Sequence, residues 1–224
     1  MNTNQIIQTI CIYLIPVLFA ITIHEAMHGF VAYKCGDKTA KMLGRLTLNP
    51  LKHIDLFGTI FLPILLYYFG NFIFGYAKPV PVIPRNLKNL RRDMGLIAAA
   101  GPLSNLAMAI IWAIIAKIII LVSKETSGAL LGPLFEMGYA GVQVNIMLFI
   151  INLMPIPPLD GSKVLSSLLP RKLAYYYDKI NDKLGLLGLV IIIILLNFTG
   201  FSRVISSVIL SFVNLVLSLF GIHI

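Results

Sequence analysis

Charge is scarce in this chain. Only 12% of its 224 residues are Asp, Glu, Lys or Arg, whereas a soluble domain carries about 25%. Hydrophobic residues make up 58% of the chain, and its mean hydropathy is +0.89. This composition excludes an ordinary soluble domain. It predicts an all-α polytopic membrane protein that forms a single membrane-embedded domain over residues 1–224.

Acidic residues and cysteines are the scarcest of the reactive side chains. The chain has 9 Asp and Glu against 18 Lys and Arg, a net charge of +9. The basic residues lie in the links between apolar runs, as membrane topology demands, so we expect no nucleic-acid partner. Cys11 and Cys35 form no C-x-x-C pattern, and neither a disulfide nor a cysteine metal site is expected. The start lacks a charged region and a small-residue cleavage site, so no removable signal peptide is predicted.

Long apolar runs are what the sequence has in abundance. They predict spans over 5–34, 94–122 and 130–153, followed by C-terminal helices within 184–224. A further run, 56–74, is interrupted by glycine and proline. Together the runs predict about five to six transmembrane helices with a re-entrant segment. Two stretches of the link 35–93 suggest short β elements. Residues 45–48 alternate like a strand, and the alternate prolines of 77–85 allow only an edge strand or an extended loop.

The distribution of Lys and Arg decides the path of 56–74. If this segment crosses the bilayer, the links divide seven basic residues against ten. If it enters and leaves on one side, fifteen lie on that side and two on the other. The second division obeys the positive-inside rule, so we predict a re-entrant segment and a cytoplasmic basic side. The C-terminal half of the first span and the end of 130–153 then lie at the same depth.

The motif His24-Glu25-Ala26-Met27-His28 lies inside the first apolar run. Histidines four residues apart share one helix face and can bind one metal ion, while the glutamate between them can act as a general base. Ionisable side chains are costly at this depth in a bilayer. A bound metal ion would offset that cost, so the motif indicates a metal site.

Asp160 offers a third ligand. On its own, Asp160-Gly161 after a proline-rich stretch is typical of a turn. The predicted topology places it on the same side as His24 and His28, which favours the ligand interpretation. Two histidines and one carboxylate leave the fourth position of a tetrahedral zinc open, as in catalytic rather than structural sites. We therefore predict one Zn²⁺ per chain, with Glu25 as the base.

Three linked motifs resemble the site-2 protease family of intramembrane zinc metalloproteases: His24–His28, Gly101–Asn105 and Asn152–Gly161. The resemblance implies zinc at His24, His28 and Asp160, the base at Glu25, and substrate handling by Asn105 and Asn152. For each asparagine the alternative is a hydrogen bond between helices.

The resemblance also implies what the protein acts on. The expected activity is hydrolysis of peptide bonds in or near transmembrane segments of membrane-protein substrates, in the cell membrane, with the active site toward the cytoplasm. The link regions resemble the family's membrane-associated β elements, which could hold a substrate as an added strand. The chain has no room for a PDZ-like or nucleotide-sensing CBS domain, so we expect a minimal member.

Three alternatives differ in class. A zinc carrier would need several polar groups placed along the spans as a pathway. A protein that binds membrane helices without cutting them would not need Glu25. Another integral H-E-x-x-H peptidase would not need Asp160. His53 beside Asp55 is expected to have a surface or turn role rather than to be a spare ligand. His223 is expected to lie in the tail.

Overall fold

The computed structural model describes residues 3–55, 58, 61, 77–124, 128, 130–185, 187–197 and 199–223. These residues are helical apart from their links. The helices are α1 (Thr3–Lys34), α2 (Thr39–Met42), α3 (Leu90–Ser123), α4 (Leu131–Asn152), α5 (Asp160–Leu168), α6 (Arg171–Leu184), α7 (Leu187–Asn197) and α8 (Thr199–Ser218).

Four of the described helices are long and apolar enough to cross a membrane: α1, α3, α4 and α8. The first three confirm the predicted spans to within a few residues, because only a helix satisfies every backbone group in hydrocarbon. The predicted five to six spans are not reached in the described part of the chain. Helix α7 has 11 residues, which is about 16 Å and too short for a crossing.

Helices α1, α3 and α4 pack together to form the centre of the molecule, and α8 packs on α4 and α3. Small residues permit this close packing, as is common between membrane helices. A Cβ added at Gly141 of α4 would lie 2.3 Å from the ring of Trp112, and one added at Gly138 would lie 3.0 Å from Ala116. Val213 and Leu217 of α8 complete this core.

The chain between α1 and α3 begins and ends at the same end of the bundle. The backbone N–H of Lys88 donates to the carbonyl of Cys35 (3.2 Å). The amide of Asn86 donates to Asp37 (3.0 Å). The segment predicted to be re-entrant, 56–74, lies outside the described residues except for positions 58 and 61, and its re-entrant path stays a prediction.

The predicted β elements are absent from the described residues. Residues 46–48 form bends, and the carbonyl of Thr47 accepts a hydrogen bond from the His53 ring (2.9 Å) rather than from a neighbouring strand. Residues 77–83 have no regular secondary structure. They match the extended-loop alternative, because prolines at 79 and 81 supply no N–H for a ladder.

Candidate metal centre

Helix α1 carries His24 and His28 one turn apart, and their Nε2 atoms lie 3.0 Å from each other. A carboxylate oxygen of Asp160 lies 3.1 Å from Nε2 of His24 and 3.2 Å from Nε2 of His28. The three side chains are 10 to 14% exposed. The structure therefore brings together the three residues that the sequence predicts as ligands, from elements more than 130 positions apart.

The other ring nitrogens settle which atoms face the centre. Nδ1 of His24 lies 2.6 Å from Oδ1 of Asn105. Nδ1 of His28 lies 2.6 Å from the carbonyl of Ile97. Both partners are acceptors, so each Nδ1 carries the hydrogen and each Nε2 presents a lone pair. Hydrogen bonds of this kind orient metal-binding histidines in proteins.

Asn105 is itself held in place from the far side. Its Nδ2 donates to the carbonyl of Ala20 (3.2 Å) and to Oδ1 of Asn145 (3.0 Å). Nδ2 of Asn145 in turn donates to the carbonyl of Gly141 (2.8 Å). Both asparagines are completely buried. This chain of hydrogen bonds fixes Oδ1 of Asn105 toward His24.

The three converging atoms fit a zinc ion. Two nitrogen lone pairs and a carboxylate oxygen point at one spot, and without a cation or proton between them they would repel one another. Ligand atoms on a tetrahedral zinc at the usual bond lengths lie roughly 3.3 Å apart, close to the 3.0–3.2 Å found here. Two histidines and one carboxylate are also the ligand set of several catalytic zinc sites.

Gly101 of α3 lies directly against this centre. A Cβ added there would be 2.5 Å from Nε2 of His28 and 2.6 Å from Nε2 of His24. Any other residue would push a side chain into the imidazoles. Gly101 therefore has a more specific role than the close helix packing that small residues usually provide.

Asp160 is the first residue of α5, which follows the turn after α4. The turn is tight, since a Cβ added at Gly161 would lie 2.2 Å from the carbonyl of Leu153. Helix α5 packs along α3, and the Tyr177 hydroxyl of α6 donates to the carbonyl of Pro155 (2.9 Å). These contacts hold the carboxylate at the end of the bundle where α1 finishes.

Glu25 lies beside the metal-binding atoms. His24, Glu25 and His28 each offer a ligand atom, and these atoms lie within 4.8 Å of one another. Oε2 of Glu25 accepts a hydrogen bond from the backbone N–H of Val80 (2.9 Å). A carboxylate at this distance from the centre can reach a water molecule bound there, as a general base must.

The hydrogen bonds found for the other candidates go to other parts of the chain. Asn152 donates to the carbonyl of Leu148 in its own helix (3.0 Å). His53 is 1% exposed, so it has the predicted turn role but not a surface position. Asp55 accepts a hydrogen bond from the backbone of Gly58 (2.7 Å). His223 lies beyond α8.

Asn145 is a residue of the site region that the sequence analysis missed. It is an amide inside an apolar span, and polar residues at membrane depth often have functional partners. That signal could have identified it. The contact between Gly101 and the imidazoles had no such signal, because it depends on how α3 lies on α1.

Apolar spanning helices that enclose an H-E-x-x-H pair and a nearby carboxylate define a class, the membrane-embedded metallopeptidases. The sequence pattern of Peptidase family M50 matches residues 12–129, just over half of the chain. The chain belongs to this family, which confirms the resemblance drawn from the three motifs, and zinc is its cofactor.

The similar relatives bear the common name "Putative zinc metalloprotease". YwhC of Bacillus subtilis is 42% identical over 70% of this chain and 68% of the relative. MJ0611 of Methanocaldococcus jannaschii is 30% identical over 72% of this chain and 73% of the relative. Rip2 of Mycolicibacterium smegmatis is 26% identical over 64% of this chain, which spans about half (52%) of that protein. No solved structure matches the chain.

Proposed function

We propose that the protein is an intramembrane metalloprotease of site-2 type that hydrolyses peptide bonds in or near transmembrane segments of membrane proteins. The observation that carries the proposal is the convergence of two histidine lone pairs and the Asp160 carboxylate on one point. Glu25 lies within 4.8 Å of the histidine atoms. The proposed zinc ligands are His24, His28 and Asp160.

Zinc bound here would lower the pKa of a water molecule to about 7 and polarise the scissile carbonyl. The chain's own contribution is the handling of the proton. Glu25 accepts the proton of the attacking water and delivers it to the amide nitrogen as the C–N bond breaks. Asn105 keeps the His24 ring oriented while this occurs.

The position of the centre supports action inside the membrane. His24 lies ten residues before the end of α1, about 15 Å along the helix axis. The hydrocarbon core is about 30 Å thick, and we place the centre inside this layer. A soluble substrate would have to enter this layer, whereas a transmembrane helix is already there.

The charge distribution supports a cytoplasmic orientation. The end of α1 and the start of α3 lie at the end of the bundle nearer the metal centre. The link between them lies there, as do α5 and α6, which follow α4. With Lys34 and with Arg91 and Arg92 in the first turn of α3, these parts of the chain contain fifteen of the 18 Lys and Arg residues. Under the positive-inside rule this end faces the cytoplasm.

An exposed backbone edge would suit the substrate that we propose. A helical substrate must unwind before a protease can reach its carbonyl groups, and pairing with an extended segment would hold it open. Residues 77–83 are irregular and touch Glu25 through Val80. The backbone of this segment is largely bonded within the protein, so we propose the neighbouring residues 45–48 as the substrate-binding edge, with Asn152 as a further contact.

Two rival functions make different predictions. A zinc carrier needs a series of polar sites along a path, whereas the polar cluster described here is confined to one depth. A binder that does not cleave would keep the zinc and lose nothing from Glu25→Gln. Cleavage of a membrane substrate therefore separates the protease from both.

The test has two parts. Zinc measured in purified protein should be about one ion per chain in the wild type and much lower in Asp160→Ala. The control Asp182→Ala, which alters an exposed residue of α6, should keep its zinc. Glu25→Gln should keep the zinc but lose about 10²–10⁴-fold in cleavage rate. Full zinc in Asp160→Ala, or full cleavage by Glu25→Gln, would contradict the proposal.

A further inference from the structure

The segment Lys78–Ile83 has no regular secondary structure and passes Glu25, and its first residues are fixed. The backbone N–H of Lys78 donates to the carbonyl of His53 (2.9 Å). The guanidinium of Arg45 donates to the carbonyl of Lys78 (3.0 Å) and lies 3.4 Å from that of Pro79. This end is therefore tied to the link that follows α2.

The other end of the segment is tied to the end of α1. The backbone N–H of Ile83 donates to Oδ2 of Asp37 (2.6 Å). Asn86, just beyond the segment, donates to Oδ1 of the same carboxylate (3.0 Å). Asp37 is completely buried, so both of its oxygens are committed to holding this part of the chain.

Between these two ends, the segment touches the proposed catalytic base. The N–H of Val80 donates to Oε2 of Glu25 (2.9 Å). The Val80 side chain is 8% exposed and packs on α1 at Gly29, where an added Cβ would lie 3.0 Å from Cγ1 of Val80. The absence of a side chain at Gly29 thus lets the segment come close enough for the hydrogen bond.

We propose that the backbone N–H of Val80 is a positioning group for Glu25. It holds one oxygen of the carboxylate and thereby directs the other toward the metal centre. A glutamate side chain otherwise samples several rotamers, and an ordered neighbour removes that freedom before the reaction begins. This role rests on the proposed function, since it concerns the base of the same reaction.

The contact can be tested without any activity measurement. Prolines at 79 and 81 carry no N–H, so the segment has only four amide hydrogens, at residues 78, 80, 82 and 83. In Glu25→Ala the amide of Val80 should exchange with solvent at least about tenfold faster, because its charged acceptor is gone. The amide of Ile83, bonded to Asp37, serves as the internal control and should not change.

The role in catalysis is tested by deleting the N–H alone. Val80→Pro removes the hydrogen in a segment whose alternate prolines already confine it to extended backbone. Val80→Ala keeps the hydrogen and is the matched control for the lost side chain. Relative to Val80→Ala, kcat of Val80→Pro should fall about 10- to 100-fold, the effect of one hydrogen bond to a charged group. KM should change less than about threefold, and zinc content should be equal.

A second variant covers the case in which Val80→Pro does not fold. An ester at position 80, made with the α-hydroxy acid analogue of valine, deletes the same hydrogen and keeps the side chain. The substrate is a transmembrane polypeptide that wild type cleaves and Glu25→Gln does not. If both N–H deletions match their controls, or cleave faster, the positioning role is wrong.

Failure of the proposed function gives a different pattern. Wild type would then cleave no membrane polypeptide better than Glu25→Gln does, and the positioning role would fall with it. The exchange rates would still report whether Val80 contacts Glu25. Unchanged Val80 exchange in Glu25→Ala would overturn the inference even in an active protease.

Discussion

The two sides of α1 at the metal centre are built in different ways. The side with His24 and His28 faces other helices, and its partners Ile97, Gly101 and Asn105 all belong to α3. The side with Glu25 faces an irregular segment outside the helix bundle. Helix packing holds the proposed ligands, whereas a loop tied at two points holds the proposed base.

This difference suggests how the two parts fail. A helix inside a bundle cannot shift without disturbing its packing, because protein interiors are close to fully packed. A loop can detach locally while the bundle stays folded. We therefore expect damage on the histidine side to release zinc, and damage on the glutamate side to slow turnover while zinc stays bound.

Gly101→Ala should have the largest effect. The added methyl group would lie 2.5–2.6 Å from both Nε2 atoms, a distance at which the imidazoles or α3 must move. We expect zinc content to fall close to zero, with cleavage reduced on the order of a thousandfold or more. The measurements are metal content and cleavage rate.

Gly132→Ala is the control for this change. It adds the same methyl group to a helix at a position where no atom of the described residues lies within 4 Å, so zinc and cleavage should stay at wild-type levels. Normal zinc binding by Gly101→Ala would mean that the helices do not meet as closely at the centre as the structure has them.

Asn105→Ala should have an intermediate effect. It leaves Nδ1 of His24 without its acceptor, and loss of such a partner weakens metal binding about 10- to 100-fold. Asn145→Ala acts one hydrogen bond further away, so the loss should be smaller. Competition with a zinc-binding dye measures both affinities.

Asn152→Ala tests whether any asparagine near the site has this effect. Its side-chain amide bonds within its own helix, so zinc affinity should be unchanged. If Asn105→Ala also left zinc affinity unchanged, the buried hydrogen bonds would not contribute to ligand orientation, and the substrate-handling role implied by the family resemblance would be favoured instead.

Asp37→Asn should have the smallest effect on cleavage. The effect should be limited to the side of α1 that carries Glu25. The amide has one acceptor oxygen in place of two, so the donors Ile83 and Asn86 cannot both be satisfied. We expect kcat to fall about threefold, the effect of one weakened hydrogen bond, with zinc fully bound. Loss of zinc would show that the two sides are not separable.

The same residue predicts a pH dependence. Burial alone would raise the pKa of Asp37. The hydrogen bonds from Asn86, Thr39 and Ile83 outweigh this effect, so the net pKa lies below the ordinary 3.8. Because the folded-state pKa is depressed, the stabilisation is fully present above pH 3.8 and is lost as the pH falls through the lower folded value. Thermal unfolding of wild type should therefore lose more stability below pH 3.8 than that of Asp37→Asn.

The sequence predicts those features that depend on local pattern. Three spans were predicted because apolar runs in hydrocarbon must be helical. The pairing of His24 with His28 follows from helix geometry, since residues four apart share a face. The approach of Asp160 was predicted from the charge distribution together with the histidine pair, and the structure brings it within 3.2 Å of both histidines.

The features that were missed depend on contacts between distant parts of the chain. Residues 45–48 alternate like a strand, yet the carbonyl of Thr47 accepts from the His53 ring, and no neighbouring strand is present in the described residues. The positions of Gly101 and Val80 against α1 depend on the packing of α3 and of an irregular segment. The residue pattern around Gly101 and around Val80 does not indicate which helix either residue will contact.

The prolines of the segment beside Glu25 have a consequence for the lifetime of the protein. A protease of this kind holds a length of its own extended chain next to its base, and extended chain is what proteases cut. The bond Val80–Pro81 has a ring on its nitrogen in place of a hydrogen, and the carbonyl groups of Lys78 and Pro79 are engaged by Arg45. If the protein cleaves peptides as proposed, the fixed carbonyl groups and the prolines of this segment would make it a poor substrate for the protein's own site.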